Sequence, residues 1–345
     1  MNPALSAWLE YRKNNPKLLH DDPHRDIHFL STPTGKRLET GVVVSPATVP
    51  ARDGFRIPIR IYTPTPTAEE GCGNGRSGYY RGVVIFYHSG GFTSGDLETE
   101  DVSCRYMSLY AQTIVISIDY RLSPTHSYPV PINDGIDAFE YIAQNLSALL
   151  PDPDIRSRIQ IPAKLVLCGT SSGGHLAAIV SQHARNGLGK EESAGAAGET
   201  VSLVGVLLRA PVTVEARVEA LIPERFRGVH VSWEARYEGA EGNRESMGYN
   251  HDSLAVPAAE KTSPAAFPLW GDLGGLPRTY IQICELDILC DDAVCYAQGL
   301  KETGVEVRER FYEGLPHIFW IYNHELAVSK TAQEDCVKGL RWLLE

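Results

Sequence analysis

Ser171 lies at a point of the sequence where a serine could act as a nucleophile. The apolar run 164–168 ends in Gly-Thr-Ser-Ser-Gly (169–173), and an Ala/Leu-rich helical pattern follows directly. This G-x-S-x-G pattern is typical of a sharp strand-to-helix turn in which flanking glycines leave room for the backbone. We expect Ser171 to be exposed at the helix N-terminus, where free N–H groups favour negative charge. An ordinary glycine-rich turn has the same pattern, so the partners of the serine must decide.

A serine nucleophile needs a base for its proton, an acid that orients the base, and N–H donors for the oxyanion. Two later strand ends supply the acid and the base. Asp287 follows the predicted strand 279–284, and His317 lies in a Gly/Pro loop after the predicted strand 305–312. The order Ser171, Asp287, His317 is the one that enzymes with this serine turn use.

The oxyanion donors are predicted from the segment 86–92, Phe-Tyr-His-Ser-Gly-Gly-Phe, which follows an apolar strand. It matches an H-G-G-G-type loop with Ser89 in place of the first glycine. We expect the N–H groups of Gly90 and Gly91, with that of Ser172, to form the oxyanion hole. Losing one such donor typically costs about 3 kcal/mol of transition-state stabilisation. A plain glycine turn after a strand is the alternative. The side chains expected to contact the substrate are His88, Ser89, Phe92, Trp233 and Ile318.

The rest of the chain predicts strands that alternate with helices. Strand patterns lie at 41–44, 55–62, 82–87, 113–119, 165–168, 201–208, 279–284 and 305–312, and helical patterns at 4–13, 98–111, 132–149, 291–302 and 332–344. This alternation favours a mostly parallel sheet covered by helices on both faces. The turn Arg52-Asp53-Gly54 predicts a hairpin and therefore an antiparallel edge. Asp291 and Asp292 are expected to cap the helix that follows Asp287.

The segment 211–261 breaks this alternation. It is polar, aromatic and weakly periodic, and it includes Trp233, Tyr237, Met247 and Tyr249. Because long irregular insertions in compact domains are usually functional, we interpret this segment as a lid.

Two local patterns are interpreted as loops without a ligand. His20, His24 and His28 are spaced by four residues, but Pro23 interrupts the helix that would align them on a metal. The glycine-rich segment 71–78 lacks the Lys-Ser/Thr of a phosphate loop, and a strand follows it.

Composition narrows the classes of function. The 345 residues, 43% of them hydrophobic, suffice for one large α/β domain or two smaller ones. The net charge of −11, without a basic segment, argues against nucleic acid or an anionic membrane as partner. No apolar run is long enough to span a bilayer, and the N-terminus lacks a secretory signal. Seven scattered cysteines argue against a disulfide framework or a zinc site.

We expect a cytoplasmic protein that binds a small-molecule ester and needs no cofactor or metal. A homodimer is compatible with the sequence, which leaves the oligomeric state open.

These motifs resemble those of the hormone-sensitive-lipase-like family of α/β-hydrolase esterases, from about residue 82 to the C-terminus. Further similar segments are Asp-Tyr-Arg-Leu-Ser-Pro (119–124), Tyr-Pro-Val-Pro-Ile-Asn-Asp (128–134), Thr-Ser-Pro (262–264) and Gly-Leu-Pro (275–277). The resemblance implies an α/β-hydrolase fold with an eight-stranded, mostly parallel, twisted sheet. It also implies a helical cap formed by residues 1–40 on a catalytic domain formed by residues 41–345. Ser89 departs from the family's glycine, and Thr170 and Ser172 stand where the family usually has Asp and Ala. These departures bear on substrate preference more than on catalysis.

The sequence therefore predicts a serine carboxylic-ester hydrolase. His317 would take the proton of Ser171 as it attacks an ester carbonyl, and Asp287 would hold the imidazole in the required tautomer. One alternative uses the same triad for acyl transfer, cyclisation or amide hydrolysis on a specialised metabolite, with which the aromatic insertion is compatible. The other is a non-catalytic small-molecule receptor, but relatives with that role have lost the histidine, whereas His317 is present.

Overall fold

One sheet with eight main strands among the described residues forms the centre of the molecule. The computed structural model describes residues 3–14, 29–65, 79–150, 152–187, 193–194, 200–235 and 243–345. The strands are β1 (Val42–Pro50), β2 (Arg56–Pro64), β3 (Val83–Tyr87), β4 (Ile114–Ile118), β5 (Ala163–Thr170), β7 (Thr200–Arg209), β8 (Arg278–Leu286) and β9 (Val307–Pro316), while the two-residue β6 (Ser193–Ala194) pairs with β7. The histidines at 20, 24 and 28, the glycine-rich segment 71–78 and Tyr237 lie outside the described residues.

The strand order is β1-β2-β4-β3-β5-β7-β8-β9. The pairs β1–β2 and β2–β4 are antiparallel, and every later pair along this order is parallel. Pro50 pairs with Arg56, and Gly54 has a φ of +87° in the intervening turn, so the predicted hairpin and antiparallel edge are confirmed. Because parallel strands end at the same edge of the sheet, the segments after β3, β5, β8 and β9 meet there.

Helices cover both faces of the sheet, as predicted. They are α1 (Pro3–Asn14), α2 (Pro33–Thr40), α3 (Asp101–Ala111), α4 (Val130–Leu149), α5 (Pro153–Ser157), α6 (Ser172–Gly187), α7 (Ser232–Ala235), α8 (Arg244–Leu254), α9 (Cys290–Glu302) and α10 (Ala327–Leu343). Ile85 and Leu167 belong to the core beneath α4, α6 and α9, whereas Phe86 and Val166 belong to the core beneath α3 and α10. Successive strand residues thus enter opposite cores, which explains the continuous apolar runs of these strands.

The acidic residues at the start of α9 do not cap that helix, so the prediction for them was wrong. Asp292 accepts hydrogen bonds from the N–H groups of Thr213 and Val214, at 2.7 and 3.1 Å. Asp291 accepts two more from the N–H groups of residues 231–232, at 2.7 and 2.6 Å. Both carboxylates therefore satisfy backbone donors of the insertion rather than donors of their own helix.

The insertion 211–261 contains α7, α8 and several short 3₁₀ turns among its described residues. Helix α8 is tied to the body of the molecule, since Tyr128 N–H donates to the carbonyl of Leu254 at 2.8 Å. At the other end of the chain, Trp8 of α1 packs in a cluster with Ile318 and Tyr322. No helix in the described part of the chain is long and apolar enough to cross a bilayer.

Candidate active site

Ser171 stands in a strained turn between β5 and α6. Its φ is +55°, a left-handed conformation that costs a non-glycine residue free energy and is typical of functional turns. A Cβ atom on Gly169 would lie 2.1 Å from the carbonyl oxygen of Gly173, and one on Gly173 would lie 2.0 Å from that of Tyr87. Both glycines are therefore required by close backbone approach, as the sequence pattern predicts.

The expectation that Ser171 is exposed was wrong, because only 3% of its surface is accessible. Its N–H donates to the carbonyl of Arg209 at 2.8 Å, and its own carbonyl accepts from His175 at 3.0 Å and from Val212 at 3.3 Å. The turn is thus surrounded by the strand end of β7 and by the start of the insertion, which the local sequence does not show.

The three residues predicted as a triad lie within hydrogen-bond distance of one another. Nε2 of His317 lies 2.9 Å from Oγ of Ser171, and its Nδ1 lies 2.6 Å from Oδ2 of Asp287. The other carboxylate oxygen of Asp287 accepts from the N–H of Leu289 at 2.8 Å. The carboxylate therefore cannot rotate without losing a hydrogen bond, and it holds the imidazole from one fixed direction.

Strands β8 and β9 bring the predicted acid and base together. They are parallel, and Leu286 pairs with Pro316, so Asp287 and His317 leave the sheet side by side. Ile318, which follows the histidine, has a φ of +43°. For a β-branched residue this conformation is a genuine outlier, and strain of this kind persists only where the surroundings enforce it.

The oxyanion loop follows β3 and faces the serine turn. Gly90 and Gly91 have φ values of +127° and +63°. Across the described residues, the N–H groups of these two glycines donate no hydrogen bond. The N–H of Ser172 has no acceptor within α6 because it belongs to the first residue of that helix. Three donors are thus available at the places where the sequence predicts the oxyanion hole.

A family described as having the α/β-hydrolase fold matches residues 84–321. The chain belongs to the α/β-hydrolase fold family. It is 31% identical over 281 residues to the carboxylic ester hydrolase LipN of Mycobacterium tuberculosis, which covers 81% of this chain and 64% of that protein. It is 28% identical over 269 residues to the versiconal hemiacetal acetate esterase of Dothistroma septosporum, covering 76% of this chain and 73% of that protein. An esterase of Pyrobaculum calidifontis of known structure shares 26% identity with a TM-score of 0.67, covering 87% and 85% of the two chains.

These similarities confirm the resemblance to hormone-sensitive-lipase-like esterases and the class of enzyme, a serine carboxylic-ester hydrolase. The predicted fold, an α/β-hydrolase sheet of eight main strands, is confirmed as well.

Two of the five residues predicted to contact substrate, His88 and Ser89, make contacts within or beside the oxyanion loop. The His88 ring stacks on Tyr120 at 4.3 Å between centroids, and its Nδ1 lies 2.7 Å from the carbonyl oxygen of Ser89. Burial lowers the pKa of His88 to about 4, so the ring is neutral at pH 7. Ser89 is itself fully buried. Both residues lie beside the site but shape the loop from within.

The other three predicted contacts, Phe92, Ile318 and Trp233, are buried side chains. Phe92 packs its ring against His175, one helical turn after Ser171, at 5.2 Å between centroids. Ile318 adjoins His317 and packs with α1. Trp233 packs against α8, with its ring centroid 6.4 Å from that of His251.

Sequence reasoning missed two residues that lie against the site. Asn250 of α8 lies over the oxyanion loop, because a Cβ on Gly91 would be 1.9 Å from its Nδ2, and its Oδ1 accepts from the hydroxyl of Thr93 at 2.9 Å. Glu100 contacts the oxyanion loop and the serine turn from beneath. Neither residue belongs to a motif, and the contacts span 157 and 70 positions of the chain for Thr93–Asn250 and Thr170–Glu100.

Proposed function

We propose that this protein hydrolyses a small-molecule carboxylic ester through an acyl-serine intermediate. In the first step His317 takes the hydroxyl proton of Ser171 while Oγ attacks the ester carbonyl. The imidazolium then protonates the leaving alcohol, and water attacks the acyl-serine with the same histidine as base. The observation that carries the proposal is the continuous Ser171–His317–Asp287 contact, at 2.9 and 2.6 Å.

The N–H groups of Gly90, Gly91 and Ser172 are proposed to stabilise the oxyanion. Their availability supports this role, because preorganised donors in a buried site stabilise developing negative charge without reorganisation. All roles can be filled by groups of the chain itself, so the proposed reaction needs no metal or cofactor.

The cover over the site is proposed to come from two parts of the chain. Trp8 of α1 packs in one cluster with Ile318, next to the catalytic histidine. Asn250 of α8 contacts the oxyanion loop from the insertion 211–261. These contacts support the expectation of an N-terminal cap on the catalytic domain and of a lid formed by the insertion.

The relative from Dothistroma septosporum, an esterase named for an acetate ester of a hemiacetal, supports a small acyl group on a specialised metabolite as substrate. The burial of Ser171 leaves acyl transfer to an acceptor other than water as a second candidate. The two are separated by mass spectrometry of the products from one ester with and without added alcohols. Free acid alone supports hydrolysis, and a new ester supports transfer.

Replacing the nucleophile tests the proposal. Ser171→Ala should abolish turnover of p-nitrophenyl acetate and labelling by a fluorophosphonate, which reacts only with an activated serine. Ser181→Ala is the matched control, because Ser181 is a buried serine of α6, the helix that follows Ser171, and its hydroxyl donates to the carbonyl of Ala178. Esterase activity retained by Ser171→Ala, or absence of labelling in the wild type, would contradict the mechanism.

A further inference from the structure

Glu100 is a buried carboxylate that contacts both halves of the proposed oxyanion site. It precedes α3, but its side chain does not cap that helix. Its Oε1 accepts from the N–H of Ser89 at 3.1 Å, and its Oε2 accepts from the hydroxyl of Thr170 at 2.9 Å. Only 3% of the residue is accessible, so water does not compete for these hydrogen bonds.

The two residues that Glu100 contacts directly precede the proposed oxyanion donors and the proposed nucleophile. Ser89 directly precedes Gly90 of the oxyanion loop, and Thr170 directly precedes Ser171. One carboxylate therefore joins the loop that carries two oxyanion donors to the turn that carries the nucleophile and the third donor. The backbones of the two segments also approach closely, since a Cβ on Gly173 would lie 2.0 Å from the carbonyl oxygen of Tyr87. The Tyr120 hydroxyl is a second bridge, 2.7 Å from the carbonyl oxygen of His88 and 3.3 Å from Oγ of Ser172.

A buried guanidinium faces the same carboxylate. Arg209, at the end of β7, is fully buried, and its Nη1 lies 3.5 Å from Oε2 of Glu100. Arg209 is held by Gln282, whose Oε1 accepts from Nε at 2.7 Å, and by Ser103, whose Oγ accepts from Nη1 at 3.2 Å. Its guanidinium also lies over the Trp320 ring, 4.6 Å from the centroid. A buried ion pair is weak support for stability by itself, but it fixes geometry when its remaining hydrogen bonds are satisfied.

We propose that Glu100 is a positioning residue that sets the distance between the oxyanion donors and Ser171. This inference rests on the proposed acyl-serine mechanism. Oxyanion donors act mainly in the transition state, so a displaced loop lowers kcat while substrate affinity changes little. Glutamine cannot replace the carboxylate, because its amide has one acceptor atom and the site presents two donors besides the Arg209 cation.

The test compares two variants, each of which changes one partner of the Glu100–Thr170 hydrogen bond. Glu100→Gln should lower kcat for p-nitrophenyl acetate by about 10- to 100-fold, in the range of displaced or lost oxyanion donors, with KM within about twofold. Thr170→Val removes only the hydroxyl at constant shape and should lower kcat by about tenfold, whereas Thr170→Ser keeps the hydroxyl and should retain it. Glu98→Gln is the matched control, because Glu98 lies two residues earlier, is exposed and pairs with Arg60.

A second readout separates positioning from general damage to the fold. Affinity for an alkylboronic acid, which forms a tetrahedral adduct on the serine, should fall in parallel with kcat/KM in both variants. Affinity for the ether analogue of the substrate, which has no carbonyl, should stay unchanged. If Glu100→Gln fails to fold, Thr170→Val carries the test alone.

The outcomes distinguish this inference from the mechanism on which it rests. If wild type is active and Ser171→Ala is not, but Thr170→Val and any folded Glu100→Gln keep kcat within twofold, the positioning role is overturned and the mechanism stands. Equal losses of boronate and ether binding would also overturn the positioning role. If wild type neither turns over esters nor reacts with fluorophosphonate, the mechanism itself fails.

Discussion

Replacing Asp287 by asparagine should inactivate the enzyme because Leu289 dictates how the new amide must lie. One carboxylate oxygen of Asp287 accepts from the N–H of Leu289 at 2.8 Å, and the other lies 2.6 Å from Nδ1 of His317. An asparagine side chain carries one acceptor oxygen and one donor NH₂ group. Only the oxygen can meet the Leu289 N–H, so the NH₂ group must face the imidazole.

A donor at that position forces His317 into the other tautomer. Nδ1 of His317 must then accept a hydrogen bond, so the ring proton moves to Nε2 and points towards Ser171. In this tautomer the imidazole cannot accept the serine proton. The same exchange in a serine-protease triad lowers kcat by about 10⁴-fold, which corresponds to about 5.5 kcal/mol of activation free energy. We expect a loss of this size with KM and thermal stability little changed, because side-chain shape and the Leu289 hydrogen bond are kept.

The assay is steady-state hydrolysis of p-nitrophenyl acetate, with fluorophosphonate labelling rates as a second measure of serine reactivity. Asp291→Asn is the matched control, since it makes the same chemical change four residues later, and both backbone N–H groups of the insertion bind one oxygen of Asp291, which an asparagine oxygen can replace. Its kcat should stay within a few-fold of wild type. An Asp287→Asn variant that keeps more than about 1% of the wild-type kcat would refute the argument from the fixed amide.

Two further perturbations test the loop and the insertion. Gly91→Ala should lower kcat at least about tenfold, because its Cβ would meet Asn250 at 1.9 Å and displace an oxyanion donor. Gly54→Ala, also at positive φ but with open space around it, is the kinetic control for strain alone, and equal effects would contradict the clash. For Glu215, burial alone raises the pKa, but hydrogen bonds from Arg217 and nearby positive charges outweigh burial and lower the pKa from 4.5 to about 2. A lowered folded-state pKa stabilises the protein above pH 4.5, and this contribution is lost as pH falls towards 2. Glu215→Gln should therefore lower the free energy of unfolding by about 3 kcal/mol at pH 7, and by less at pH 3, in urea titrations. A difference between variant and wild type that does not change with pH would refute this origin.

The contact between Ser171, His317 and Asp287 could be predicted from the sequence because each residue carries a local signal. Ser171 stands between glycines whose close contacts the structure shows, and Asp287 and His317 each follow an apolar strand. The parallel sheet converts these separate strand ends into one edge. The same reasoning predicted the sheet and most helices, since strands buried on both faces read as continuous apolar runs.

The misjudged features depend on contacts between distant segments. Ser171 is buried by β7 and the start of the insertion, which the sequence of the serine turn does not contain. Asp291 and Asp292 have the sequence signature of helix capping, yet their carboxylates bind the insertion some 60 to 80 positions earlier. Glu100 lies in a polar stretch before a helix, where acidic residues are favoured for local reasons. Nothing in the local sequence distinguishes a carboxylate that caps its own helix from one that accepts hydrogen bonds from a distant segment.

The first turn of α9 links Asp287, the proposed catalytic acid, to the insertion. Asp287 is followed within five residues by Asp291 and Asp292, which hold the two ends of the segment 213–232 through backbone hydrogen bonds. The His230 side chain also lies 2.9 Å from Asp292. A displacement of this part of the insertion must either break several buried hydrogen bonds, each costly to leave unmade, or move the start of α9 with it. Because the Leu289 N–H of the same turn binds Asp287, such a movement would also displace the carboxylate that contacts the His317 imidazole. Substitutions in the insertion are therefore expected to alter kcat as well as substrate choice.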